Sequence, residues 1–466
     1  MPLSESFSGI RGVWNDSLTE QAAIRYAYAF FDFLKKRNNG EKISIVLGCD
    51  TRPSYKAIKN WVIEALNCKI IDAGIAPTPA VELAVRLYKA DGGIMITASH
   101  NEPYYNGFKF LDKDGAVLRP KDIGQVISFY HRIKGLGNEE FGSKYLFNNE
   151  KEIEGKDTED KSSEISKEYI SFVLGFFSKK ELEKIKKAKF KVVIDPNGGA
   201  GTIAKEILEK AGVKVFGLNM EYGIFSRTIE PNALSLIYLE SHIKENKADF
   251  AAGFDCDADR VELVLENGGI VSGHYLFALV ADDILKNSKN KNVVVNNATS
   301  NVVKEAVEKN DGKITEVEVG EINVVDAMLK EKSPVGGEGS SGGIIIPPSR
   351  CRDGILTVLY VLKIMAEKGK GLKEIVGEYP KYFTVADKFE VKGRGNSSIK
   401  EKIIDYYSKK GCKIKKTDSI KAVFEDGSWI YFRDSKTEAG LFRIIVDSKD
   451  PEKAESLMKE AKKLLG

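Results

Sequence analysis

One plan recurs three times along this chain, and it restricts the possible folds more than any other feature. KISIVLGCDTR is a β-branched run ending in polar residues, followed by a helical stretch from about Ala57 to Asn67 and a second strand, KIIDAG. KFKVVIDPNGG repeats the plan, with a helix around Ile203–Ala211 and then VKVFGLN. KNVVVNNATS repeats it again, with a helix around Asn301–Asn310 and then KITEVEVG. Short continuous apolar runs alternating with helical patterns indicate βαβ units in buried mixed or parallel sheets. Three copies suggest three related α/β domains. The length of 466 residues agrees, since domains of roughly 100–200 residues would number three or four.

The C-terminal stretch reads differently. A helix over Ser398–Lys409 precedes the strand KAVFE, an Asp426-Gly427 turn, the strands WIYFR and LFRIIVDS, and a terminal helix from Pro451. Asp-Gly between alternating strands is a hairpin signal, so a small α+β domain is expected. Asn148–Glu164 is polar and charged with no apolar period, which predicts an exposed connection between the first two domains.

Charge and composition exclude several classes of function. With 71 basic against 68 acidic residues the net charge is only +3, so no nucleic-acid surface is announced. The five cysteines are scattered and form no CxxC. That argues against a disulfide framework or zinc site and for a reducing cytoplasm. The start, MPLSESFSGIRG, has no basic and apolar leader pattern, and no run of eighteen apolar residues predicts a membrane span.

Asp255, Asp257 and Asp259 sit at alternate positions in AAGFDCDADRVELVLE. Carboxylates crowded in this way repel unless a cation lies among them, and hard divalent ions, Mg²⁺ in particular, take such all-oxygen sites. Glu266 falls at the twelfth position of a calcium loop counted from Asp255, but Arg260 occupies the sixth, where the sharp turn wants glycine, and the flanks look like strands. A phosphatase with a strand-terminal DxD nucleophile is the rival enzyme class; it leaves the third aspartate and an upstream serine loop unexplained. That loop, TASHNEPYYNGFK, follows the strand GGIMI and places Ser99 beside His100 and Asn101, with Lys109 ten residues on, at the head of an expected hairpin. A serine there suits a nucleophile or a phosphate carrier. In GGEGSSGG, Glu338, Ser340 and Ser341 offer hydroxyl-binding groups. RDSKTEAGLFR brings Arg433, Ser435, Thr437 and Arg443 around a turn, and guanidiniums with hydroxyls suit a phosphate dianion.

Together and in this order, the four segments closely resemble the α-D-phosphohexomutase family, which includes phosphomannomutases, phosphoglucomutases and phosphoglucosamine mutases. Further matches are GIRG at Gly9–Gly12, GCDTR at Gly48–Arg52 and RDG at Arg352–Gly354. The resemblance implies an α/β protein: three related α/β domains with mixed sheets plus a smaller C-terminal α+β domain around a central cleft. The corresponding domain limits are 1–155 (phosphoserine loop), 156–267 (metal loop), 268–375 (sugar loop) and 376–466 (phosphate loop).

The resemblance also implies roles. Ser99 would carry the phosphoryl group, and its phosphate would complete an Mg²⁺ shell with Asp255, Asp257 and Asp259. Arg260 would neutralise that phosphate, Arg11 and Lys109 would assist proton transfer, and His100 would support the loop. Glu338 and Ser340 would hold sugar hydroxyls, while Arg433, Ser435 and Thr437 would grip the phosphate not being transferred. The implied activity interconverts hexose 1- and 6-phosphates of mannose or glucose through a 1,6-bisphosphate, with glucosamine phosphate as the alternative substrate. The partners would be small sugar phosphates, with no nucleic acid and no membrane, for a monomer or homodimer. The chain departs from the family pattern in several places. Asn101-Glu102-Pro103 displaces a proline, Cys256 replaces a small residue, Ser341-Gly342-Gly343 lacks a histidine, and Arg443 falls one residue late.

Overall fold

The computed structural model describes residues 3–40, 42–146, 157–339, 342–390, 396–434 and 441–466. It divides into two compact units: Met1–Val271 with Gly343–Leu372, and Ser272–Gly342 with Lys373–Gly466.

The first unit holds two α/β sheets. In the larger, the strands run in the order Ser4–Ser6, Gly9–Val13, Tyr105–Asp112, Gly92–Ile96, Ser44–Cys49, Lys69–Ile75, Thr158–Asp160. The last four are mutually parallel, whereas Tyr105–Asp112 and the two before it pair antiparallel, so the sheet is mixed. The central strands Ser44–Cys49 and Gly92–Ile96 are buried almost throughout, as expected where helices cover both faces. Helix Glu20–Arg37 begins where the Thr19 side chain accepts the Ala22 N–H, and it buries Tyr26, Ala27, Phe30 and Leu34. Phe30 stacks on Phe110 of the sheet at 4.7 Å; burying such a ring contributes about 2–3 kcal/mol. The second sheet has the order Ile270–Val271, Val261–Val264, Phe250–Phe254, Lys191–Asp195, Lys214–Gly217. Phe250–Phe254 pairs parallel with Lys191–Asp195 and antiparallel with Val261–Val264. Helix Gly354–Lys368 belongs to this unit and packs on helix Lys179–Ala188 and strand Val261–Val264.

Two expectations are corrected here. The connection predicted to run exposed as far as Glu164 is interrupted by the edge strand Thr158–Asp160, and helix Ser162–Leu174 has already begun; residues 147–156 of that stretch lie outside those described. An edge strand shows polar side chains to water while its backbone pairs, so no apolar alternation betrays it. Lys109 sits inside strand Tyr105–Asp112, opposite Met95, and not at a hairpin head.

The second unit contains the parallel strands Lys313–Val317, Asn292–Asn296 and Val335–Gly337, with Asn292–Asn296 in the middle. Its other sheet is antiparallel throughout, in the order Phe383–Glu390, Leu441–Ser448, Trp429–Asp434, Ile420–Val423, Lys413–Lys416. Helices Asn396–Lys409 and Pro451–Leu465 cover one face of it. The expected Asp426-Gly427 turn is present, with Gly427 at φ 83 and the Phe424 N–H donating to the Ser428 carbonyl at 2.9 Å. On the opposite face Trp429 and Tyr431 pack against Ala298, and the Asn301 N–H donates to Asp447 Oδ2 at 2.9 Å.

Candidate active site

Strand Gly92–Ile96 delivers its chain end to Thr97, and the turn back into Tyr105–Asp112 carries Ser99 at φ 51. A residue with a Cβ held in the left-handed region costs about 1–2 kcal/mol. The Thr97 Oγ1 accepts the Ser99 N–H at 2.8 Å and helps fix that conformation. Ser99 Oγ consequently points at the aspartates and donates to Asp255 Oδ2 at 3.2 Å.

The aspartates occupy the turn between Phe250–Phe254 and Val261–Val264, which is strand-flanked and therefore no helix–loop–helix calcium site. All three are fully buried, and one carboxylate oxygen from each lies within 4.8 Å of the others. Asp257 Oδ1 and Asp259 Oδ1 are buried with no hydrogen-bond partner among the described residues. A buried carboxylate oxygen without a partner is costly, and a hard cation on an all-oxygen donor set resolves that cost. The residues present therefore fit a divalent metal. Burial, reinforced by Asp259 and Asp257, pushes the Asp255 carboxyl well above the usual range. Burial acts on Asp259 too, but the Arg352, Lys109 and Arg260 charges outweigh it and hold that carboxyl below the usual range.

Cations ring the cluster. Lys109 Nζ donates to Asp257 Oδ2 and to Asp259 Oδ2, both at 2.7 Å. Arg260 Nε stands 3.8 Å from Asp255 Oδ2 and from Asp259 Oδ1, and its Nη1 pairs with Glu230 at 3.2 Å. Arg11 sits on strand Gly9–Val13 opposite Gly107, where an added Cβ would lie 1.9 Å from the Ile10 carbonyl oxygen. Glycine is required there for the strands to approach. Arg11 Nη1 donates to Asn101 Oδ1 at 2.9 Å; burial and then Arg260 lower its pKa to about 10. His100 adjoins the same cations: burial, then Arg260 and Arg11, hold its imidazole well below the usual range and so neutral.

Three contributors escaped the sequence reading. Thr78 Oγ1, at the start of helix Thr78–Leu87, donates to Asp257 Oδ2 at 2.5 Å, and its N–H donates to the Asp257 carbonyl at 3.0 Å. Arg352 Nη2 donates to Asp259 Oδ2 at 3.2 Å. Arg52 holds the Ser99 loop through backbone carbonyls. The GCDTR and RDG segments were visible as motifs, but nothing local in them reveals these partners.

In the second unit, Glu338 Oε1 accepts from Asn296 Nδ2 at 3.1 Å and from the Gly320 N–H at 2.9 Å. Ser340, Ser435 and Thr437 lie outside the described residues. Arg433 pairs across the sheet with Arg443, and Arg443 in turn with Lys388. Cross-strand partners share a face of the sheet. Arg443, late by count, is thus in register with Arg433. Arg433 also borders a cavity of about 190 Å³ lined by Glu318, Val319, Lys400, Asp418 and Asp434.

Residues 5–135, 167–269 and 272–382 match the phosphoglucomutase/phosphomannomutase α/β/α domains I, II and III, respectively. The chain is 35% identical to a phosphoglucomutase/phosphomannomutase of Thermococcus kodakarensis, covering 98% of this chain and 97% of the relative. It is 30% identical to a phosphoglucosamine/phosphogalactosamine mutase of Sulfurisphaera tokodaii over 98% of each chain. The open form of the Paramecium phosphoglucomutase parafusin superposes with a TM-score of 0.80 at 21% identity, covering 99% of this chain and 94% of that one, a likeness of fold. With three domains matched and a relative aligned end to end, the chain belongs to the phosphoglucomutase/phosphomannomutase family of α-D-phosphohexomutases.

Proposed function

We propose that this protein interconverts hexose 1-phosphate and hexose 6-phosphate, of mannose or glucose, through phosphorylated Ser99 and a 1,6-bisphosphate intermediate. The observation that carries the reading is the Ser99 hydroxyl, on a residue held in the left-handed region and aimed at a buried aspartate triad, two of whose oxygens have no hydrogen-bond partner among the described residues. Phosphoryl transfer needs positioning and charge neutralisation above all. In the first step the Ser99 Oγ–P bond breaks as a sugar O–P bond forms, the sugar hydroxyl giving up its proton and Ser99 Oγ taking one up. In the second, the O–P bond at the opposite end of the bisphosphate breaks as the Ser99 Oγ–P bond re-forms, Ser99 giving up its proton and the freed sugar oxygen taking one up. Asp255, Asp257 and Asp259 would hold Mg²⁺, which when bound neutralises charge on the transferring phosphate. Arg260 stands on the triad's edge, where it can face phosphoryl oxygens. Arg11 and Lys109 serve proton transfer, and neutral His100 supports the loop. The Arg433–Arg443 pair grips the distal phosphate, with Ser435 and Thr437, while Glu338 and Ser340 hold sugar hydroxyls. On this reading the four functional loops belong to the segments 1–155, 156–267, 268–375 and 376–466.

No described helix is long and apolar enough to cross a membrane. The five free cysteines support the cytoplasm as the compartment. Glucosamine phosphate is the second substrate to test, because relatives at about the same identity carry that activity in their names.

The test is a coupled assay comparing mannose, glucose and glucosamine phosphates with and without 1,6-bisphosphate, alongside peptide mapping of the intact protein. Phosphate on Ser99 and loss of turnover by at least about a thousandfold in Ser99→Ala are expected. Full turnover in Ser99→Ala would end the proposal.

A further inference from the structure

We infer that Arg52 is the positioning residue of the phosphoryl-carrier loop, fixing through its backbone the direction in which the Ser99 hydroxyl points. The inference rests on the proposed carrier role of Ser99. The Arg52 side chain is completely buried. Its Nε donates to Asp50 Oδ2 at 3.0 Å. Nη1 donates to the Glu102 carbonyl at 2.6 Å and the Tyr105 carbonyl at 3.0 Å. Nη2 donates to the Ser99 and Asn101 carbonyls, both at 2.6 Å. A guanidinium has five N–H groups in a rigid plane, and here each has an oxygen.

The distribution of those oxygens is informative. Four are carbonyls of one turn, residues 99–105, and the fifth is the buried carboxylate that anchors the fork from behind. Asp50 is itself fixed, because its Oδ1 accepts the Arg52 N–H at 3.0 Å. Among the described residues, backbone bonds within the turn include the Asn101 N–H to the Ala98 carbonyl at 3.1 Å and the Tyr105 N–H to the Glu102 carbonyl at 2.9 Å. Its most demanding residue, Ser99, is left-handed without being glycine. A planar fork gripping the Ser99 carbonyl from behind supplies what the turn's own sequence lacks. Arg52 bonds backbone carbonyls of the turn and so acts through Ser99, by geometry. Lysine offers a point charge that can still pair with Asp50 but cannot span four carbonyls.

Since misplacing a reacting group by about 1 Å costs about a hundredfold, the prediction separates positioning from fold maintenance. Wild type and Arg52→Lys, full length with Mg²⁺, are phosphorylated with glucose 1,6-bisphosphate, and phosphate on Ser99 is quantified by peptide mapping. Steady-state constants are then expressed per mole of folded, Ser99-phosphorylated enzyme. Arg52→Lys should lower kcat about a hundredfold with KM within about threefold of wild type, because an interaction acting only on the reacting geometry is lost. Amide hydrogen exchange over residues 98–105 should accelerate at least about tenfold in the same variant. An arginine that merely maintains the fold would lower the folded fraction and leave kcat per folded enzyme unmoved; that result overturns the inference. So does a kcat loss with unchanged exchange over 98–105. Phosphate absent from wild-type Ser99 overturns the carrier reading and this inference together, whereas full Ser99 labelling with wild-type kcat in Arg52→Lys overturns this inference alone.

Discussion

Replacing Lys109 by methionine tests the electrostatics of the aspartate cluster without relying on catalysis. Lys109 Nζ lies 2.7 Å from one oxygen each of Asp257 and Asp259, and the lysine is 6% exposed. At an effective dielectric constant of about 20, each contact is worth roughly 6 kcal/mol of attraction. Burying the ammonium and the carboxylates offsets much of that by several kcal/mol per ion, so deleting the cation leaves a net deficit of about 3–5 kcal/mol. The deficit should depend on conditions in a defined direction. Protonation of one aspartate can replace the lost cation, so the deficit shrinks as pH falls from 8 to 5. A divalent ion on the same carboxylates should shrink it as well. Hydrogen exchange of the Phe250–Phe254 and Tyr105–Asp112 strands reads these effects locally. In EDTA at pH 8 the slowest amides of both strands should lose protection by at least about a hundredfold, the equivalent of about 3 kcal/mol. Adding Mg²⁺ should restore most of it. Equal protection in the variant and the wild type, in EDTA at pH 8, would refute the claim that Lys109 compensates buried charge.

Two further outcomes follow from geometry elsewhere. Burial holds His274 down to about 4, and its Nδ1 accepts the Ser300 N–H at 3.2 Å. The unfolded chain therefore takes up this proton first: the contribution is full above about pH 6.5 and is lost towards pH 4, up to about 3 kcal/mol. His274→Asn should flatten that part of the urea-midpoint profile against pH, and a profile parallel to wild type would count against it. At Gly343, an added Cβ would sit 1.8 Å from the Asp259 carbonyl oxygen and 2.8 Å from Arg352 Cβ. Gly343→Ala should thus displace the metal turn and weaken Mg²⁺ binding by about 10–100-fold, read as the Mg²⁺ dependence of the melting temperature; an unchanged dependence would show that the turn yields without loss.

Much of the site was legible because its chemistry is packed into short contiguous segments. The three aspartates, Ser99 with His100, and the glycine-bracketed Glu338 each announce themselves within a few residues. Arg52, Thr78 and Arg352 could not be read this way. The loop carbonyls that Arg52 reaches lie 47–53 residues away, and the partners of Thr78 and Arg352 lie 179 and 93 residues away, respectively; a backbone carbonyl is something any sequence supplies. Arg443 shows a related difficulty: counted from the motif it falls one residue late, but strand pairing and not chain count decides what faces Arg433. The strands Thr158–Asp160 and Lys413–Lys416 were missed for another reason. Both are polar edge strands stabilised through their backbones.

By itself, the order of residues determined the repeated α/β plan, the hairpin of the C-terminal domain and the hydroxyl and carboxylates proposed to carry chemistry. Those properties are written in local periodicity and in side-chain type. Tertiary structure alone decided which cations compensate the triad, which oxygens have no hydrogen-bond partner among the described residues, and how Ser99 is held in the left-handed region. These depend on distances between chain segments far apart in sequence, and at 3 Å the sign and size of an electrostatic interaction are set by geometry that no residue spacing specifies.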